Sequence, residues 1–191
     1  APLHLPIAQA RQQPDGTAVI IEGIVTVPSG RFASSNLDQG FALQDDSGGI
    51  YISTDHQNGL VMGEEAAVRG ILANDGHGQR IVQLDTWEQR DRSPQLIAPQ
   101  VVSARAAATQ LDGTLVTVKG TVSRPWVPDG PYGDRLWLKD ATGEIQIYIP
   151  KSTHINPQSL NSLQPGQSLE VTGFSSQFDG QDEVMPRQDE D

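Results

Sequence analysis

The chain has 191 residues, 36% of them hydrophobic, with no cysteine and a formal net charge of −11. That length suits one large or two small domains, each able to bury a core, and the missing cysteines exclude a disulfide framework and a cysteine-ligated zinc site. The acidic excess is even, 5 Lys/Arg against 11 Asp/Glu over residues 1–90 and 8 against 13 over residues 91–191, and no polybasic run marks a dedicated binder of duplex DNA.

No apolar run approaches the roughly 18 residues needed to cross a bilayer, so no membrane span is expected. The chain begins at Ala1 without a charged segment followed by an apolar one. It is expected to be either the mature form of an exported chain or a segment cut from a longer one.

In chain order, a lead-in over Leu5–Gln13 comes first, then GTAVIIEGIV at residues 16–25. The latter returns as GTLVTVKGTV at residues 113–122, and GEEAAVRG at 63–70 returns as GQSLEVTG at 166–173. Between them, GFALQDDSGGIYI at residues 40–52 is a weaker copy of DRLWLKDATGEIQIYI at residues 134–149. Three blocks in one order at nearly one offset mark an internal duplication.

Each copy reads as five strands. The first is Val19–Val25 or Val116–Val122, interrupted by Gly23 or Gly120; a strand-interior glycine in a small barrel marks the bend where the sheet coils on itself. The second and third are hairpins turning at Ser47-Gly48 and Thr142-Gly143. Residues 53–62 and 150–165 follow with weak helix signals, the second leaving room for a short helix around Gln158–Leu163. The fourth strands are Ala66–Leu72 and Ser168–Phe174, the fifth Arg80–Leu84 and Glu183–Met185. Loops are expected at Pro28–Gln39, Arg124–Gly133, Asn74–Gln79 and Ser175–Gln181, and Val102–Gln110 reads as a brief helix leading into the second copy. Gln188–Asp191 reads as a frayed acidic end.

This is the pattern of an all-β protein built as two consecutive five-stranded OB-like barrels. The first spans residues 1–88, a linker and lead-in residues 89–112, and the second residues 113–191.

The order of lead-in, G-T-x-V, Q/K-D-x-[ST]-G and G-x-x-[LA]-x-V-x-G resembles the tandem OB-fold modules of exported bacterial nucleases, which precede a catalytic phosphoesterase domain, and similar modules of other surface proteins. The resemblance covers nearly the whole chain, but its motifs are structural glycines and core positions. It implies a binding or targeting role and a secreted or cell-envelope location in a bacterium. It carries over no catalytic residue.

The residues themselves agree on that last point. No nucleophile elbow, phosphate loop, dinucleotide fingerprint or zinc-protease motif occurs, and His4, His56, His77 and His154 are scattered through loops and the terminus. The chain by itself is therefore expected to be no enzyme, with no catalytic residue, no metal site and no cofactor. Asp45-Asp46 before Ser47-Gly48 suits a calcium loop in composition, yet lacks its spacing, and the turn reading prevails.

Parity singles out the second hairpin. Leu136, Leu138, Ile145, Ile147 and Ile149 form its buried face, which leaves Arg135, Trp137, Lys139, Gln146 and Tyr148 on the open one. Lys119 and Thr117 face outward from the first strand by the same rule, and Trp126, Tyr132 and Phe178 lie in framing loops. The candidate ligand-binding set is Lys119, Trp126, Tyr132, Arg135, Trp137, Lys139, Tyr148 and Phe178. Rings beside cations fit single-stranded nucleic acid, since bases stack on rings while Lys and Arg follow phosphates. Packing against a protein partner or neighbouring catalytic domain, and oligosaccharide binding, stand as alternatives. The first copy has Ala42, Gln44 and Glu22 where the second has Trp137, Lys139 and Lys119, which makes it the structural partner. The chain is expected to be a monomer.

Overall fold

The computed structural model describes residues 2–32, 38–76, 78–90, 94–109, 112–156, 158, 162–178 and 180–191. The chain falls into two compact units, Ala1–Ala98 and Pro99–Asp191. In the first unit, β1 (Leu3–His4) and α1 (Ile7–Ala10) precede β2 (Ala18–Val27), β3 (Phe41–Gln44), β4 (Gly49–Ser53), β5 (Glu65–Asn74) and β6 (Arg80–Gln89). In the second, β7 (Gln100–Val102) and α2 (Ala104–Thr109) precede β8 (Leu115–Asp129), β9 (Gly133–Asp140), β10 (Gly143–Pro150), β11 (Ser168–Phe178) and β12 (Gln181–Met185).

Both units close by the same pairings. β2 pairs with β3, β3 with β4, β4 with β6 in parallel, β6 with β5, and β5 back to β2. β8, β9, β10, β12 and β11 repeat that ring, again with one parallel contact, between β10 and β12. Full closure leaves no free edge in either ring. These are two OB-like barrels, as the strand pattern predicts.

The alternation explains the cores. Val19, Ile21 and Val25 of β2 meet Phe41, Leu43, Ile50 and Ile52 of the first hairpin. Val116, Val118 and Val122 of β8 meet Leu136, Leu138, Ile145 and Ile147 of the second. The two interior glycines sit where hairpin backbone presses on the first strand: a Cβ at Gly23 would lie 2.9 Å from the Gln44 carbonyl oxygen, and one at Gly120 would lie 2.6 Å from that of Lys139. No side chain fits there.

The D-x-[ST]-G turns have a structural task. Asp45 Oδ1 accepts the amides of Ser47 (2.8 Å) and Gly48 (3.0 Å), while its Oδ2 accepts the amide of Ile7 at the start of α1 (3.0 Å). Ser47 Oγ takes the next amide, Ala8 (2.9 Å). Asp140 and Thr142 repeat the device, capping α2 through the amides of Ala104 (2.8 Å) and Arg105 (3.2 Å). Each lead-in helix is thus capped by a turn far away in sequence, which satisfies amides that a short helix leaves orphaned. Ile7, Ala10, Ala104 and Ala107 follow into the cores.

Several details differ from the pattern reading. Arg124–Gly133 is no loop, because β8 runs on to Asp129 and β9 starts at Gly133. Pro125 and Pro128 are accommodated within β8, whose register with β9 shifts on either side of Arg124. Thr117 is buried, not outward, with its hydroxyl 2.7 Å from that of Thr172 and β7 lying along that part of β8. The acidic end is not frayed: Arg187 is buried and bonds the Asp191 carboxylate through Nε at 2.8 Å. Residues 150–165 hold a 3-10 turn at Lys151–Thr153, while half of the short helix expected around Gln158–Leu163 lies outside the described residues. Ser175–Gln181 is likewise no loop, since β11 runs to Phe178 and β12 starts at Gln181. Asp179 between them, part of the Pro28–Gln39 loop, and His77 lie outside the described residues.

Candidate functional site

The β9–β10 hairpin sets Arg135 opposite Tyr148, Trp137 opposite Gln146 and Lys139 opposite Glu144. All six share one parity and stand away from the Leu/Ile face. Two flanking strands widen the row. On one side the irregular stretch of β8 brings Arg124 beside Trp137 and Val127 beside Arg135. On the other, the parallel partner β12 sets Glu183 beside Gln146. Arg124, Trp137, Gln146 and Glu183 therefore form one line across four strands.

At the centre, the Arg124 guanidinium lies over the Trp137 ring, 4.9 Å from its centroid. Its Nη2 and Nε both donate to Glu144, the latter at 3.3 Å. Ser123 Oγ donates 2.6 Å to the same carboxylate. The Ser123 hydrogen bond, with Arg124 and Lys139 adding to it, outweighs partial burial and holds the Glu144 carboxyl below its usual range.

At one end, Asp129 accepts from Arg135 Nη2 (3.1 Å) and from the Tyr148 hydroxyl (2.7 Å). Burial, and then Asp129, push the Tyr148 phenol well up, so it stays a donor. The Tyr148 ring rests on Gly133, where a Cβ would come within 3.0 Å of its carbons. At the buried end of the line, Gln146 Nε2 donates 3.0 Å to Glu183 Oε2, with the two residues 7% and 4% exposed. Burial raises the Glu183 carboxyl to about 7; Gln146 and Arg135 pull it down, and Asp129 and Asp182 push it up.

Of the eight residues that the sequence singles out, Arg135, Trp137, Lys139 and Tyr148 are brought together here. Lys119 lies on β8 beyond Thr121, 3.7 Å from Glu170, and lines an open groove with Lys139, Thr121 and Ser168. Tyr132, in the β8–β9 turn, and Phe178, at the end of β11, are exposed at 57% and 47%. Trp126 is half-buried against the second core, and its Nε1 has no partner among the described residues. Gln146, read as part of the open face, is buried. Pattern reasoning missed Arg124, Glu144, Asp129 and Glu183. The first is unreadable by parity because of the register shift. The acids carry no motif, although their opposite charge to the neighbouring cations was a usable signal.

The first barrel's equivalent face is closed. Ala42 pairs with Tyr51, which is 8% exposed, and Phe32 is buried. Asp38 accepts from the Tyr51 hydroxyl (3.2 Å), from the Gly40 amide (2.7 Å) and from Ser53. Among the described residues no group of three or more His, Asp or Glu could hold a metal ion. No helix among them is long and apolar enough to cross a membrane.

No protein-family model matches the chain. It is similar to endonuclease YhcR of Bacillus subtilis, with 27% identity over 129 residues, 68% of this chain. The match spans only 10% of that endonuclease. Among solved structures, a murine DNA-binding protein bound to double-stranded DNA aligns over 87% of this chain and 90% of its own, at 12% identity and a TM-score of 0.46. Asparaginyl-tRNA synthetase from Pyrococcus horikoshii aligns over 45% of this chain and 21% of its own, at 24% identity and a TM-score of 0.38. The hypothetical protein ygiW of E. coli aligns over 46% and 90%, at 16% identity and a TM-score of 0.37.

Proposed function

We propose that this chain is a non-catalytic binding module of an exported bacterial protein, and that its second barrel holds single-stranded nucleic acid. The observation that carries the reading is the partly exposed Trp137 ring with Arg124, Arg135 and Lys139 in the same strand rows. A ring supplies a stacking platform for any base, and the cations supply phosphate contacts. The likeness to an endonuclease supports a nucleic-acid setting. The small share of that protein covered is in keeping with a module that serves a catalytic domain elsewhere, in a secreted or cell-envelope protein.

Binding of labelled oligo-dT, at low and at physiological salt, against a panel of soluble glycans tests this. The expected result is salt-weakened oligonucleotide binding and no glycan binding. A glycan bound without salt dependence would replace the reading with oligosaccharide recognition. A second reading, docking of a protein or neighbouring domain, is favoured by the exposed apolar side chains Val127, Tyr132 and Phe178. It predicts no oligonucleotide binding at any salt.

A further inference from the structure

We infer that Glu144 occupies a phosphate position of the second barrel, and that a single-stranded nucleic acid binds by displacing this carboxylate from Arg124. The inference rests on the nucleic-acid reading above and adds to it the place where one phosphate sits.

Two groups of β8 donate to the Glu144 carboxylate, and a third cation stands opposite it on the next strand. Ser123 Oγ donates to Oε2 at 2.6 Å, Arg124 donates through Nε and Nη2, and Lys139 is its cross-strand neighbour on β9. A hydroxyl, a guanidinium fork and an ammonium are donors only or donors by choice. Together they form an anion site whose occupant here is a side chain of the same barrel. Carboxylate and phosphate offer the guanidinium fork the same paired oxygens, so one can replace the other without rearranging the donors. The pair is exposed on the arginine side, 56% for Arg124 and 29% for Glu144, so exchange does not require opening the core. The carboxylate is held by a guanidinium fork and one hydroxyl, so a phosphate that takes the same donors offsets the loss of the internal bonds.

The position relative to Trp137 makes the ligand a nucleotide chain rather than a free anion. Arg124 lies over the Trp137 ring and Lys139 is two residues along the same strand. A base on the partly exposed ring would have its own phosphate within reach of this site. Lys139 has no ion pair within 4.0 Å among the described residues, leaving its charge for the incoming chain.

The test uses the full chain and oligo-dT. Glu144→Gln keeps the shape, removes the internal anion and is expected to tighten binding about two- to fivefold at low salt. It should steepen the log–log salt dependence by up to about 0.7, the share of one phosphate on a single strand. Arg124→Ala should weaken binding with little change of slope, because the phosphate gained there and the carboxylate released offset one another, and in the Glu144→Gln background it should abolish both the gain and the steepening. Glu190→Gln, an equal charge change at an exposed position of the same barrel, controls for net charge and should move neither quantity by as much. Unchanged or weaker binding by Glu144→Gln while the unaltered chain binds would overturn the exchange and leave the nucleic-acid reading standing. So would an equal gain from Glu190→Gln. If no form binds oligo-dT, both readings fall together. If an acidic peptide binds in a Glu144-dependent way where oligo-dT does not, the site belongs to a protein partner.

Discussion

The two barrels share a ring order, a bend glycine and a helix capped by a distant turn, yet they treat the outside of the same hairpin in opposite ways. The first seals it, with Tyr51 and Ser53 tied down to Asp38 and Phe32 buried. The second leaves Trp137 and Tyr148 half-exposed and ties Arg124 and Arg135 to acids rather than covering them. The difference turns on few positions, since Ala42 stands where Trp137 does. The two barrels agree in the residues that close a ring and differ in those on its outer face. A binding surface is to be sought where the barrels differ, and framework where they agree.

The comparison is sharpened most strongly from inside. Leu43→Ala and Leu138→Ala remove matching, fully buried side chains, and each should cost its own barrel about 2–5 kcal/mol. Barrel-resolved hydrogen exchange reads this directly. Oligonucleotide binding should survive the first change and suffer from the second; the reverse outcome would exchange the roles assigned to the barrels.

Next in size is Trp137→Ala, which should cost about 1–3 kcal/mol of oligonucleotide affinity while leaving the unfolding midpoint nearly unmoved. Tyr51→Phe on the sealed face should do the opposite, lowering stability through the loss of its bond to Asp38 without touching binding. A midpoint lowered by Trp137→Ala with no binding to lose would favour a docking surface instead.

The smallest effect concerns what the barrels share. Asp140→Ala removes the cap of α2 and should cost about 0.5–2 kcal/mol. Burial pushes the Asp140 carboxyl up, but hydrogen bonds from Thr142, Ala104 and Gly143 more than offset it and the net shift is downward. A depressed folded-state value means that its contribution is present above the unfolded carboxylate range, near 3.9, and is lost as pH falls through the folded value. Acid titrations of the two forms should therefore converge only below about pH 4, and curves parallel to lower pH would contradict the capping role.

The rings and cores were legible because strand alternation has a period of two and each barrel buries one parity. Gly23 and Gly120 were legible as bends for the same reason, since nothing else in the strand explains a missing side chain. The site was half legible. Arg135, Trp137, Lys139 and Tyr148 follow from parity in a regular hairpin. Arg124 does not, because β8 changes register on both sides of it, and a single shift reverses which side chains face out. The pairing of Asp129 with Tyr148, and of Glu144 with Arg124, joins residues 19 and 20 apart through the fold, a relation no local pattern encodes.

The buried Gln146–Glu183 pair gives the second barrel a proton inventory of its own. An unfolded glutamate titrates near 4.3, whereas burial holds Glu183 at about 7 against the pull of Arg135 and Gln146, helped by Asp129 and Asp182. With the folded value raised, the stability from this group is whole below the unfolded value and drains away as pH rises to about 7. Across that window, refolding takes a proton from the buffer. Heats of unfolding near pH 6 should thus differ between buffers of small and large ionisation enthalpy, and Glu183→Gln should shrink that difference by close to one proton's worth. Buffer-independent heats in the unaltered chain would mean that Glu183 is already charged when folded. In this way a side chain that meets almost no solvent makes the barrel beneath the candidate site firmer in mild acid than at neutrality.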